Sequence, residues 1–583
     1  MTVIRRHRIA LLAAPLLALG LISCGKKPQP AGLLDHVPAD TPYVFAASEP
    51  LPEPLYGRLM ALSEGQMLQA LQDYKEMVAR MEERHSQQGG DVPPLPPVND
   101  TVMRVMDALA AELQGKFNAA GMGELGFKRD ADSVIYGISL FPVLRTEISD
   151  PAKVEALFGR VEKRSGSVAP RLAHQGRSLR RIPLGERLVL IIDMQDKHLV
   201  AGLLPTADEQ QLLPVLLGEE RPEASLAASG KLAKLQKRYD YQGYGEGYLD
   251  FQALARVLTG QGGGAYDTAW QHLMTDMPHP SPACQGLINK LVAGVPRMAV
   301  GLTDVTGQGY GMTGVYETTP AVSSELQHLA HPRPLPGMGM PSDSMFSFGM
   351  DVDTQALREA IKTLMRFVAR EGQGCEKVNP DAIQAALPKV DLMLGPMLGG
   401  VSGFYTELSE LKFDPQTGQP SAVRGGLLLS VQDPRGMLAF AAMMNPALAQ
   451  LDLPLDGTPV AVPPEQLPPD LPPLYVAARE GLLAVAVGED AAQRAPALLG
   501  AAAGKSPMLL GVDYDMARML DPIVHTMGMA ADQLEANGQA QQAKELRDQA
   551  AGMRASSGGF GRIQMSLAPD ANGLVLKQRV QLR

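Results

Sequence analysis

Internal repetition constrains the fold of this 583-residue chain more than any other feature. Three segments join a strand to a helix through an aspartate: GYLDFQALARVL (247–258), FGMDVDTQALREAI (348–361) and LLGVDYDMARML (509–520) align at Asp250, Asp353 and Asp515. An aspartate at that junction has a mechanical reason, because its carboxylate accepts one of the orphan N–H groups of the first helical turn. PYVFAASEPLPEPLYGRL (42–59) is a looser fourth copy. Each copy leads into a second helix and then a hairpin, at 133–147, 297–317, 401–431 and 561–583. The last turns at Asn572-Gly573, the strongest short hairpin signal.

Two further echoes agree. Asp150-Pro151 and Asp433-Pro434 each follow a strand-like run and open a helix, as does Thr319-Pro320. Proline suits the first helical position because the N–H it lacks would be unpaired there anyway. Asp208–Gly218 and Asp490–Gly500 each follow a hairpin, carry Pro214 and Pro496 at the same place, and end in a glycine placed as a C′ stop. Met67, Leu71, Tyr74, Val78 and Met81 step by three and four, one face of an amphipathic helix. Pro-rich inserts follow at 84–100 and at 462–473.

The order strand, helix pair, hairpin, helix, hairpin, helix, strand runs once through 35–330 and again through 342–583, with the Pro/Gly-rich linker 331–341 between. Alternating strands joined by hairpins give antiparallel sheets. The expected fold is α+β: two pseudo-symmetric repeats of mainly antiparallel sheet with helices packed on one face. No long βαβ series exists, so there is no topological switch point at which to seek a cofactor. Apolar content of 45% with 20% charged residues is ordinary globular composition.

The first 25 residues read MTVIRRHRIALLAAPLLALGLISCG. Arg5, Arg6 and Arg8 precede an apolar run, Ile9 to Leu19, too short for a stable spanning helix. Leu21-Ile22-Ser23-Cys24 resembles the lipobox of bacterial lipoproteins. That resemblance implies a signal peptide at 1–23, a diacylglycerol thioether on Cys24, acylation of the new amine and a polar tether at 24–34. Several acyl chains anchor stably where one does not. Gly25 in place of Asp implies outer-membrane sorting, with the protein on the inner leaflet facing the periplasm. VPADTPYVFA (37–46), with the strand–helix–hairpin repeats, resembles large bacterial envelope proteins whose repeats open on a Pro-Ala-Asp turn; that likeness brings no activity with it.

Without residues 1–23 the chain carries 50 basic and 63 acidic side chains, a net charge of −13. With no Lys/Arg block, this argues against nucleic acid as a partner. With Cys24 taken by lipid, Cys284 and Cys375 remain, and an oxidising periplasm favours a bridge between them. Each precedes a helix leading into the hairpin of its repeat, so the bridge would staple the two copies.

Candidate chemistry is sparse. Gly500-Ala-Ala-Ala-Gly504-Lys505-Ser506 has three residues between its glycines where a phosphate cradle needs four, and it lies between a helix and a strand, the wrong order. Gly309-x-Gly311-x-x-Gly314 lies within a hairpin strand rather than at a strand-to-helix turn. Asp351 with Asp353, and Asp513 with Asp515, read as strand ends followed by caps rather than a cation site. His328 and His331 lack zinc-ligand spacing. One tryptophan, Trp270, makes no sugar platform. No metal and no cofactor are expected, and no catalytic residue is assigned.

Methionine, 30 of 583 residues, is the one unusual abundance, clustered at 338–350, 393–397, 443–444 and 516–529. Methionine fills irregular cores and lines adaptable apolar grooves. The leading expectation is a non-enzymatic outer-membrane lipoprotein, a binding or scaffold module whose partner is the membrane through Cys24 and an envelope protein or hydrophobic ligand. The alternatives are a carrier of lipid or another hydrophobic ligand, with a Met/Leu-lined cavity between sheet and helices, and a cryptic envelope hydrolase.

Overall fold

A computed structural model describes residues 32–87, 100–264, 266–275, 279–332, 334–340, 342–398, 400–414, 420–444, 448, 451–467 and 471–583. The expected signal peptide, Cys24 and the first part of the tether lie outside them, as does most of the 84–100 insert. The described residues form an α+β fold of helices and antiparallel strands. No helix among them is long and apolar enough to cross a membrane.

Contacts divide the chain into two units: residues up to His279 with Arg297–Met312, and Pro280–Pro296 with Thr313–Arg583. The first unit contains β1 (Tyr43–Ala47), β2 (Ser133–Ile138), β3 (Phe141–Glu147), β4 (Arg171–His174), β5 (Arg177–Pro183), β6 (Leu188–Gln195), β7 (His198–Pro205), β8 (Glu246–Asp250) and β9 (Arg297–Thr306). Across the sheet they run β4-β5-β6-β7-β3-β2-β1-β8-β9, every neighbour antiparallel. Val44 on β1 faces Tyr136 on one side and Tyr248 on the other. These tyrosines join Phe141, Ile138, Val143 and Leu179 in a large buried core, with Leu212 and Leu216 of the Glu209–Leu217 helix packed among them. Trp270 packs on Phe141, ring centroids 5.6 Å apart.

The unit boundary falls inside β10 (Gly309–Glu317). The second unit adds β11 (Phe346–Asp351), β12 (Val401–Phe413), β13 (Pro420–Val431), β14 (Val460–Ala461), β15 (Leu474–Arg479), β16 (Leu482–Val487), β17 (Leu510–Asp515), β18 (Phe560–Asp570) and β19 (Gly573–Leu582). Their order is β14-β15-β16-β13-β12-β11-β17-β18-β19, again antiparallel throughout. One core cluster joins Leu428, Ala477, Ala484 and Ala486 to Ala491, Ala495, Leu498 and Leu499 of the Ala491–Gly500 helix. A second surrounds Val431, Leu438 and Val476.

The capped helices form for the reasons the sequence suggests. Asp250 accepts the N–H of Ala253, Asp353 that of Ala356, and Asp515 those of Ala517 and Arg518. Asp150 accepts the N–H groups of Ala152 and Lys153 ahead of Pro151–Ser165. At the final hairpin Asp570 accepts the N–H groups of Asn572 and Gly573. A β-carbon on Gly573 would lie 2.1 Å from the carbonyl oxygen of Tyr316, so this position needs glycine for space as well as for its φ of +138°.

Two details differ from expectation. Gly218 takes the left-handed C′ conformation at φ +76°, but Gly500 is the last helical residue, and the chain leaves through an extended Ala501 at φ −62°. The route onward to β17 needs no left-handed residue there. Cys284 and Cys375 stand at disulfide distance, Cα–Cα 4.5 Å, and both belong to the second unit. The link therefore ties the Pro282–Gly294 helix to the turn after the Thr354–Glu371 helix within that unit.

Candidate functional site

Most residues marked out by the sequence are occupied by structural work. The Gly500–Ser506 segment runs from the end of a helix towards β17, and Gly309, Gly311 and Gly314 lie along β10. Asp351 is buried with its carboxylate 2.7 Å from His331 Nδ1; burial pushes it up and His331 draws it down. Asp513 accepts from Arg562 (2.6 Å) and Gln564 (3.1 Å). Glu376, beside the cysteine pair, is held down by a hydrogen bond with Ser281, and sulfurs joined to each other offer no thiolate to a metal.

The first unit buries charge. Arg145, 1% exposed, donates from Nε to Tyr136 (3.1 Å) and from Nη2 to the carbonyl of Leu216 (2.5 Å). Leu216 lies in the last turn of its helix, where a cation meets the negative end of the dipole. His36 is pushed down to about 4, first by burial and then by Arg145, Arg221 and His198. Arg180, also 1% exposed, is clamped by Glu155 and Glu162 and lies 4.6 Å over the Phe158 ring.

Two carboxyls of the first unit are raised: Glu246 to about 7 and Asp132 to about 6. Burial is the first cause for each, and the charge of Glu49 adds to both. Glu246 accepts the N–H of Gly243 at 3.0 Å. No hydrogen bond joins either carboxyl to a Ser, Cys or His side chain among the described residues, so neither forms a nucleophile–base pair.

The second unit offers concavity. A groove of about 470 Å³ lies between β11–β12 and the Met516–Ala536 helix. Phe346, Leu408, Leu411 and Phe413 line the strand side. Met519, Ile523 and Met527 line the helix side at intervals of four, with Leu546 from the Ala540–Ser557 helix. Thr526 supplies a hydroxyl, itself donated to the carbonyl of Pro522 at 2.8 Å. Its size suits one small ligand, and its lining is apolar, as ligand pockets mostly are.

A cleft of about 770 Å³ adjoins the groove, sharing Met345, Leu411, Phe413 and Pro522 with it. Its lining includes Lys412, Arg424, Arg518 and Arg554 against Glu410 and Asp521. Lys412 (2.5 Å) and Arg424 (2.6 Å) both pair with Glu410 and hold it below the usual carboxylate range. Arg518 donates to the carbonyls of Asp343 (2.6 Å) and Ser409 (2.7 Å) instead of to a carboxylate.

Sequence reading reached part of this site. The methionine clusters contain Met345, Met519 and Met527, but they also contain Met338, a core residue 1% exposed, and Met443, 72% exposed. Abundance alone does not separate these roles. Leu408, Leu411 and Phe413 were missed because strict alternation puts Leu408 on the opposite face from the other two. The register shift between Leu408 and Glu410 breaks that alternation, and all three line one groove. No family model matches the chain, and no curated protein or solved structure is significantly similar to it.

Proposed function

We propose that this chain is a non-enzymatic lipoprotein of the bacterial envelope, anchored through Cys24, whose second unit binds a hydrophobic ligand by taking its acyl chain into the groove. The observation that carries the reading is the groove itself. A methionine- and leucine-lined cavity between sheet and helices is the feature a carrier of this kind requires, and methionine lets such a lining adapt to its contents. The lipobox-like Leu21–Cys24 supports the anchor, and Gly25 supports the inner leaflet of the outer membrane.

The two units are, on this reading, copies of one α+β repeat. Supporting it, the succession β6-β7-β3-β2-β1-β8-β9 has the same chain connections as β15-β16-β13-β12-β11-β17-β18. The Pro151–Ser165 and Pro434–Met444 helices follow matching strands, as do Glu209–Leu217 and Ala491–Gly500.

Native mass spectrometry of the delipidated chain, re-exposed to envelope lipid extract, tests the ligand. Bound acyl lipid that disappears in Ile523→Trp supports it; a chain that stays empty overturns it. Membrane fractionation of Cys24→Ser tests the anchor: the protein should leave the membrane fraction, and unchanged sedimentation would contradict the assignment.

A further inference from the structure

We propose that groove and cleft together hold a single-chain anionic amphiphile, with the acyl chain along Ile523 and Met527 and the head group, a carboxylate, against Arg518 and Arg554. This rests on the reading of the groove as an acyl-chain site and adds the chemistry of the head. The two cavities are contiguous, since Met345 and Pro522 line both. One is apolar and the other is charged, so a ligand crossing between them must be amphiphilic.

The sign of the head group follows from which cleft charges are already matched. Glu410 is engaged by Lys412 and Arg424. Arg518 is oriented by two carbonyl oxygens, which fix its guanidinium without neutralising it. Arg554 is exposed and forms no ion pair with a described carboxylate. Asp521 is the one lining carboxylate left to oppose them, so the cleft holds four cations against two anions. A guanidinium presents paired donors that match a carboxylate in two parallel hydrogen bonds, which a neutral head cannot accept with the same strength. The groove, about 470 Å³, is of single-ligand size, which suits one chain taken up singly.

Calorimetric titration of the delipidated full chain with decanoate, dodecanoate and dodecan-1-ol tests this. Dodecanoate should bind about tenfold or more tighter than the alcohol at low salt. It should also bind roughly fifteenfold tighter than decanoate, about fourfold for each methylene buried. Arg554→Gln should remove much of the preference for carboxylate and leave the alcohol unaffected. Arg554 carries this test because Arg518 also holds the Asp343 and Ser409 carbonyls. Equal binding of dodecanoate and dodecan-1-ol, both lost in Ile523→Trp, overturns the head-group assignment and leaves the acyl-chain site standing. No binding of either overturns both readings. Binding confined to phosphatidylglycerol vesicles or to an acidic amphipathic peptide overturns the single-amphiphile assignment.

Discussion

Tyr136, Tyr248, Phe141 and Ile138 belong to the core of the first unit, each no more than 2% exposed, whereas in the second unit the core between β15–β16 and the Ala491–Gly500 helix is built on Ala477, Ala484, Ala486, Ala491 and Ala495, beside Tyr405 and Leu428. Small side chains let the Ala491–Gly500 helix approach its sheet closely. Large apolar side chains are exposed in both units: Val168 and Leu258 in the first, and Leu364, Leu392, Phe440, Met443 and Ile523 in the second. In the first unit two buried cations are matched internally: Arg180 by two glutamates, Arg145 by a tyrosine and a helix end. Two sheets with the same succession of strands thus differ in what they complete. One buries two arginines against partners of its own, and the other carries an apolar groove beside a charged cleft.

Variants in each unit separate these roles, read by amide exchange followed unit by unit. Tyr136→Ala should have the largest effect. It removes a fully buried ring and the oxygen that accepts from Arg145, and should destabilise the first unit by about 4 kcal/mol. Equal loosening of both units would break the comparison.

Cys375→Ser should destabilise only the second unit, by about 3 kcal/mol, the middle of the range for loss of such a link. Peptide mapping without reductant should recover Cys284 joined to Cys375, and two freely alkylated thiols would contradict the link. Ala484→Leu should cost about 2 kcal/mol through overpacking under the Ala491–Gly500 helix. A neutral result there would mean the alanine layer is not tight.

The smallest effect concerns pH. Glu246 titrates at about 7 when folded against 4.5 when exposed, so it favours the folded state fully below 4.5, and that contribution is lost as pH rises through 7. Glu246→Gln, neutral at every pH, should therefore gain about 1–2 kcal/mol of stability on wild type between pH 4.5 and 8. Taking the difference matters because His36, lowered to about 4, acts with the opposite sign: it opposes folding as pH falls below 6.5. A pH-independent difference would place Glu246 in a wetter environment than its burial indicates.

Local chemistry was the legible part of this chain. Asp250, Asp353 and Asp515 cap helices because a short carboxylate before an apolar run has few other uses, and Asn572-Gly573 turns because few other pairs tolerate that backbone. The cysteine pairing followed from setting Cys24 aside, which leaves two cysteines; its placement within one unit was not legible, because it depends on how the Pro282–Gly294 helix packs. Arg145 was illegible: it sits in the alternating strand FPVLRTE, where nothing local signals that its head group meets the end of a helix 71 residues on. The groove was half legible. The methionines on the Met516–Ala536 helix follow helical spacing, but the β12 irregularity that turns Leu411 and Phe413 toward them is a property of strand pairing, not of sequence period.

The central claim is that the second unit's groove takes up an acyl chain, and titration of the delipidated chain with dodecanoate, wild type beside Ile523→Trp, tests it most directly. Saturable binding of one molecule per chain that the tryptophan abolishes is the predicted result. No uptake by the wild type, or uptake that the tryptophan leaves unchanged, would contradict it.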